Sequence, residues 1–242
     1  MKDILLTDGT LEYNGYNTKL CRESGMSIAP KTSVAYLPLI EMKAADPNTV
    51  LAAITKGFKI TRAADQSILV LTCDLQIYKI AVDISYYQSD LLTNMVLILG
   101  GMHFLMDFVS CIGTLMASSG LKEILSSTFG SVDKMLQGKK FPQNIRAFRL
   151  LTEELLRPLF ENSNVPLNNE NELENELDWL ASESRTAKLW VDMIIKPTFL
   201  MMRFCRASHE GDWALHIQTA ESMLPYMFAA HKHNYSRYGS MT

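Results

Sequence analysis

The chain lacks the features that place a protein quickly. Its four cysteines, Cys21, Cys73, Cys111 and Cys205, stand far apart and never form a C-x-x-C pair. That spacing argues against a zinc ribbon or a disulfide framework, and it predicts reduced thiols in an intracellular protein, nuclear or cytoplasmic. The opening residues, MKDILLTDGT, hold no long apolar run and carry acids early, so no signal peptide is read there. Neither sign of charge dominates: 23 Lys and Arg against 26 Asp and Glu leave a net charge of −3. Nothing in that balance points to nucleic acid, and any DNA contact has to use a local patch. No internal repeat is visible.

What is present is enough apolar material for a core. The chain is 48% hydrophobic and 20% charged, the composition of a globular protein. Its 242 residues allow one large domain or two small ones. One stretch, Met95 to Ser119, is long and apolar enough to imitate a membrane span. It contains Gly100, Gly101, His103 and Asp107, and an ionised aspartate near a bilayer centre costs about 2.5–3.5 kcal/mol. A buried strand ending at the glycine pair and a following helix explain the same letters, so no membrane role is expected.

The punctuation predicts a mixed α/β fold that is predominantly α-helical. Residues 1–32 read as turns and loosely attached chain. SVAYLPLI (Ser33–Ile40) has a strand's composition, confined by Pro38 to an edge or an extended segment. A helix is expected from Asp46, with Pro47 in its first turn and Val50, Ile54 and Phe58 in register. SILVLTC (Ser67–Cys73) and NMVLIL (Asn94–Leu99) are short continuous apolar runs, the mark of strands covered on both faces. Between them Asp74–Tyr87 is helical, with Ile77, Ile80, Ala81 and Ile84 on one stripe. Strand–helix–strand–helix is a βαβ pattern, and its strands should lie parallel.

After Gly101 the expected helix faces inward through Phe104, Leu105, Phe108, Ile112 and Leu115. Beyond Gly120 only helices are expected. Residues 162–178 read as a solvated acidic loop feeding a helix around Trp179, and Pro197 should kink the apolar stretch Ala187–Ala207. A last helix runs from about Gly211 to Ala230. The predicted organisation is a segment 1–32, an α/β unit 33–103, an all-helical region 104–206, and a C-terminal helix with a basic, aromatic tail, 207–242.

Four places could carry function. Asp74 follows a buried strand, where open α/β sheets place their ligands, and where a helix N-cap also belongs. His103 occupies the equivalent place after the second strand, either as a functional group or as a core histidine. RASHEGDWALH gathers Arg206, His209, Glu210, Asp212 and His216. Glu210 and Asp212 are two apart and do not share a helix face, and an acidic helix start explains them equally well. In the tail, Lys232, His233, Tyr235 and Arg237 interleave basic and aromatic side chains, a pattern suited to nucleic-acid backbone and bases or to an ordinary chain end.

Taken in order, the blocks NGYNTKL, VAYLPLI, CDLQIYKIAVDI, LGGMHFLMDFVSCIGTLMASSGLKEI, MLQGKKFPQNIRAFRLLTEEL and RASHEGDWALHIQTAESMLPYMFAAHKHNYSRYG resemble a group of animal proteins over about residues 14–238. These derive from transposable elements and carry a domain of unknown function similar to RNase H-type transposases of the hAT and Mutator-like groups. The resemblance implies a partial RNase H-like core. Asp74 is similar to the second catalytic acid, His103 to the helix histidine, and residues 104–206 to a helical insertion. Glu210, or less closely Asp212, is similar to the third acid, so Asp74 and Glu210 would hold Mg²⁺ or Mn²⁺ in an active protein.

The departures shape the expectation. Before Ser33 there is no three-strand sheet and no strand-borne aspartate for the first acid, so the chain reads as truncated. The expectation is a transposon-derived remnant, not competent in catalysis alone, that binds DNA, a protein partner or a second copy covering an open sheet edge. The rivals are a nuclease or transposase subunit completed in trans and a helical interaction scaffold.

Overall fold

The computed structural model describes residues 35–162 and 170–239. The turns expected in residues 1–32, Ser33, Val34 and Cys21 lie outside the described residues. The fold is mixed α/β and mostly helical, with one small parallel sheet. Of the described residues, 35–105 and 232–239 form one compact unit, and 106–162 with 170–231 form another.

In the first unit, α1 (Pro47–Ala63) starts as its letters demand. Asp46 caps it, accepting a 2.8 Å hydrogen bond from the Asn48 N–H, and Pro47 opens the first turn. Val50, Ile54 and Phe58 face inward. β1 (Leu69–Cys73) pairs in parallel with β2 (Met95–Leu99), in register from Leu69 opposite Met95 to Cys73 opposite Leu99. The crossover between them is α2 (Leu75–Tyr87) followed by the short α3 (Ser89–Thr93). Side chains alternate across a strand. One face of the pair packs Leu69 and Met95 against Val50, Ile54, Phe58 and Ala81, with Ile77, Ile80 and Ile84 at the margin.

The other face is bare, against expectation. Val70 is 57% exposed and Val96, directly opposite, 44%. An unbroken apolar run reports strand propensity, and it reports two-sided burial only when a second layer exists. Here, among the described residues, no third strand pairs with either edge. The segment from Ala35 to Ile40 is a second correction: it is irregular and exposed, not a strand.

The division between units falls within α4 (Gly101–Leu115). Its inner side is as the pattern requires, with Phe104, Leu105, Phe108 and Ile112 buried. The second unit continues with α5 (Leu121–Ser126), α6 (Val132–Leu136), α7 (Phe141–Asn162), α8 (Glu170–Glu183) and α9 (Arg185–Trp190). α6 ends in a Schellman motif. The Lys139 N–H reaches the Lys134 carbonyl at 3.0 Å and the Gly138 N–H reaches Met135 at 2.8 Å. Gly138 has φ +77°, and a Cβ there would collide with the Met106 carbonyl, so glycine is required on both counts. α8 begins inside the stretch expected to be loop; its leucines, Leu173 and Leu177, bury against Leu156, Val191 and Ile195, which outweighs the acidic surroundings.

The kink expected at Pro197 takes a specific form. A π-helical turn, Val191–Ile195, immediately precedes α10 (Lys196–Glu210), in which Pro197 occupies the first turn. Proline has no N–H and its ring crowds the carbonyl four residues back. A wider turn absorbs the defect without breaking the rod. Carbonyls of this turn find side-chain donors: Thr198 Oγ1 donates to Ile194 O at 2.6 Å, and Tyr226 Oη to Asp192 O at 3.1 Å. α11 (Trp213–Ala229) packs along α10. The tail, expected as an unstructured end or contact strip, forms α12 (His233–Gly239).

Candidate functional site

Parallel pairing brings the C-terminal ends of β1 and β2 side by side, and the Gly100 N–H donates to the Cys73 carbonyl at 2.7 Å. Asp74 and His103 therefore leave the sheet at one end. The Asp74 carboxylate caps α2, accepting from the Ile77 N–H at 2.9 Å. His103 is exposed in the first turn of α4. Burial, and then the neighbouring Asp74 charge, push the Cys73 thiol up to about 11, so at neutral pH it is protonated.

The other two carboxylates belong to the helical unit. Glu210 pairs with Arg206 one turn earlier on α10, Nε to Oε1 at 2.9 Å. Gly211, at φ +71°, ends α10, and the Asp212 N–H closes the end on the Ala207 carbonyl at 3.0 Å. Asp212 then caps α11, accepting from the Leu215 N–H at 3.0 Å. The dense string SHEGDW is thus a helix stop followed at once by a helix start. Each candidate carboxylate has a local structural task, and among the described residues no group of three or more His, Cys, Asp or Glu side chains could hold a metal ion.

His216 is held between Phe204, centroids 4.2 Å apart, and Trp213, stacked at 5.3 Å. Its Nδ1 lies 3.3 Å from Ser208 Oγ. Ser208 also donates to the Phe204 carbonyl at 2.9 Å, so its hydroxyl is shared between that carbonyl and the imidazole. Burial lowers the His216 pKa.

In the tail, Tyr235 packs edge-on against Phe104, centroids 6.2 Å apart. Lys232 is half-buried, whereas His233 and Arg237 are exposed, Arg237 in the last turn of α12.

Sequence reasoning missed a cavity of about 400 Å³ in the helical unit, lined by Leu177, Asp178, Lys196, Phe199, Arg203 and Tyr226 among others. At its edge Asp192 bonds Lys188 at 2.9 Å, and Lys196 reaches Asp178 at 3.2 Å and Asp192 at 3.4 Å. Burial opposes the Asp192 charge, but these partners outweigh it and hold the carboxyl below its ordinary range. The four-residue spacing of Lys188, Asp192 and Lys196 was the available signal. Among the described residues no helix is long and apolar enough to cross a membrane.

Compared with known families, the chain matches the model of a domain of unknown function (DUF8702) over residues 12–178 and again over 160–241. No curated protein and no solved structure matches it. Those two matches span most of the sequence, and the chain belongs to this DUF8702 family.

Proposed function

We propose that this member of the DUF8702 family is a non-catalytic binding module of transposase-like ancestry, and that its small α/β unit is the part that engages a partner. The observation that carries the reading is the half-covered sheet. Both edges are unpaired among the described residues, and Val70 and Val96 leave one face apolar and bare. Two-stranded sheets of this size are marginal alone, and parallel sheets are normally covered on both faces. Loss of catalysis is supported by the tasks of the three carboxylates, two of them helix caps and one an ion pair. The order β1–Asp74–α2–β2–His103 supports the ancestry. An apolar face with a net charge of −3 favours a protein partner over DNA, and Lys232, His233, Tyr235 and Arg237 are the residues for DNA if it binds.

The test is incubation with supercoiled plasmid and Mg²⁺ or Mn²⁺. The expected result is no nicking above the Asp74→Asn background. Cleavage that Asp74→Asn abolishes would overturn the reading in favour of a nuclease. Melting with the same ions is expected to show no shift, whereas a metal bound at 100 times its Kd would add about 2.7 kcal/mol. Salt-dependent duplex retention lost in Lys232→Ala and Arg237→Ala would replace the protein partner with DNA.

A further inference from the structure

We propose that the exposed, irregular segment Ala35–Ile40 of one copy adds as a strand to the open β1 edge of a second copy, so that the binding module's partner is itself. The inference rests on the reading above and names its occupant.

Two incomplete surfaces lie in the same unit of one chain. The first is the β1 flank. Val70 and Thr72 on its outer face are exposed, as is Ile68 just before it, and even Leu71, on the packed face, is only half-buried. Both end residues of β2, Met95 and Leu99, are buried, whereas on β1 only Leu69 is, so β1 is the more exposed strand. The second surface is the segment itself. Tyr36 and Leu39 are each 94% exposed, and Leu37 is also in solvent. No described residue provides a backbone partner for Ala35 to Leu39.

Each surface supplies what the other lacks. An unpaired edge offers N–H and C=O groups in a row, and an unpaired apolar segment, once extended, offers the complementary row, the logic of strand addition. Within one copy the segment pairs with neither strand and its side chains lie in water, so its backbone is left for another chain. Because the same chain carries both halves, two copies exchanging segments form a closed two-fold pair.

Pro38 fixes the geometry further. Successive residues of a strand point their backbone groups to opposite edges, and proline has no N–H to give. Pro38 must therefore face outward, with Tyr36 and Ile40, while Leu37 and Leu39 direct their N–H groups at β1. The outward edge then carries a proline, which blocks a further strand, so addition stops at the dimer and does not propagate into a fibre.

The test is sedimentation of the full chain over roughly 1–100 µM, the range in which a micromolar Kd shows itself. A concentration-dependent dimer is expected, converted to monomer by Leu39→Asp; that side chain is in solvent in the single copy, so the far-UV melt of dilute protein should not change. A synthetic peptide of residues 35–42 should dissociate the dimer. The same peptide N-methylated at Leu39 should fail, and N-methylated at Ile40 should succeed. A monomer throughout the range, a dimer indifferent to Leu39→Asp, or equal action by both methylated peptides overturns the proposal. A monomer that still binds the unmodified peptide removes the second copy but leaves the binding-module reading standing. Plasmid cleavage unseats that reading and leaves the dimer measurement as it was.

Discussion

The two units solve the burial problem to different degrees. In the helical unit, Phe108, Phe148, Ile112, Met135, Leu156 and Ile194 are wholly enclosed. In the α/β unit the helices cover one side of the sheet and leave Val70 and Val96 on the other. The described α/β unit is built from sequence no less apolar than that of the helical unit. Apolar letters therefore tell how an element is formed, while the number of layers around it depends on what else is present to pack. A closed core supports stability by itself; a half-closed one leaves apolar surface in water.

The contrast can be broken first where it is strongest. Phe148→Ala in the helical unit should cost about 3–5 kcal/mol, whereas Val70→Thr on the bare sheet face should move dilute protein by no more than about 0.5 kcal/mol. Urea unfolding of both variants checks this, and comparable losses would mean that the sheet face is covered after all. Next in size is the Asp74 cap. Asp74→Ala should cost about 1 kcal/mol and Asp74→Asn only a few tenths, since asparagine caps as well as aspartate. A metal ligand would not tolerate the asparagine, so the pair of variants separates the two roles.

A smaller effect should follow pH. His216 is held neutral in the folded chain, its pKa below the ordinary 6.5. The unfolded chain then binds more protons, so stability is full above pH 6.5, falls as the pH drops below it, and levels off once the folded-state pKa is passed. Melting temperature against pH should show this loss, and His216→Gln should flatten it. The smallest effect is chemical. Burial holds Cys205 at about 11, and burial with the Asp74 charge holds Cys73 at about 11. Iodoacetamide at pH 8 should label both thiols far more slowly in the folded protein than in urea, by peptide mass mapping.

Much of the α/β unit could be read from its letters. Pro47 after Asp46, the alternation of apolar runs with the Ile77–Ile84 stripe, and the glycine pair at residue 100 each announce a start or stop that tertiary structure keeps. The candidate site was less legible. Asp74, Glu210 and Asp212 are the residue types a metal needs, but they are also the types that cap helices and pair with arginine, and one letter cannot separate those roles. Tyr36 to Ile40 has strand composition without a partner strand, and pairing is a property of two segments. Leu173 and Leu177 hide among acids, where mean polarity masks a two-residue apolar contact.

The wide turn at Val191–Ile195 has a consequence for how this chain can vary. One additional residue in a turn swings everything downstream by about 100° around the rod. Met201, Phe204 and Ala207 point inward only because that offset is in place. Losing a single codon there should throw all three toward water, whereas a loss matched by a gain before Met201 restores their phase. Relatives should therefore trade length in this stretch in compensated pairs.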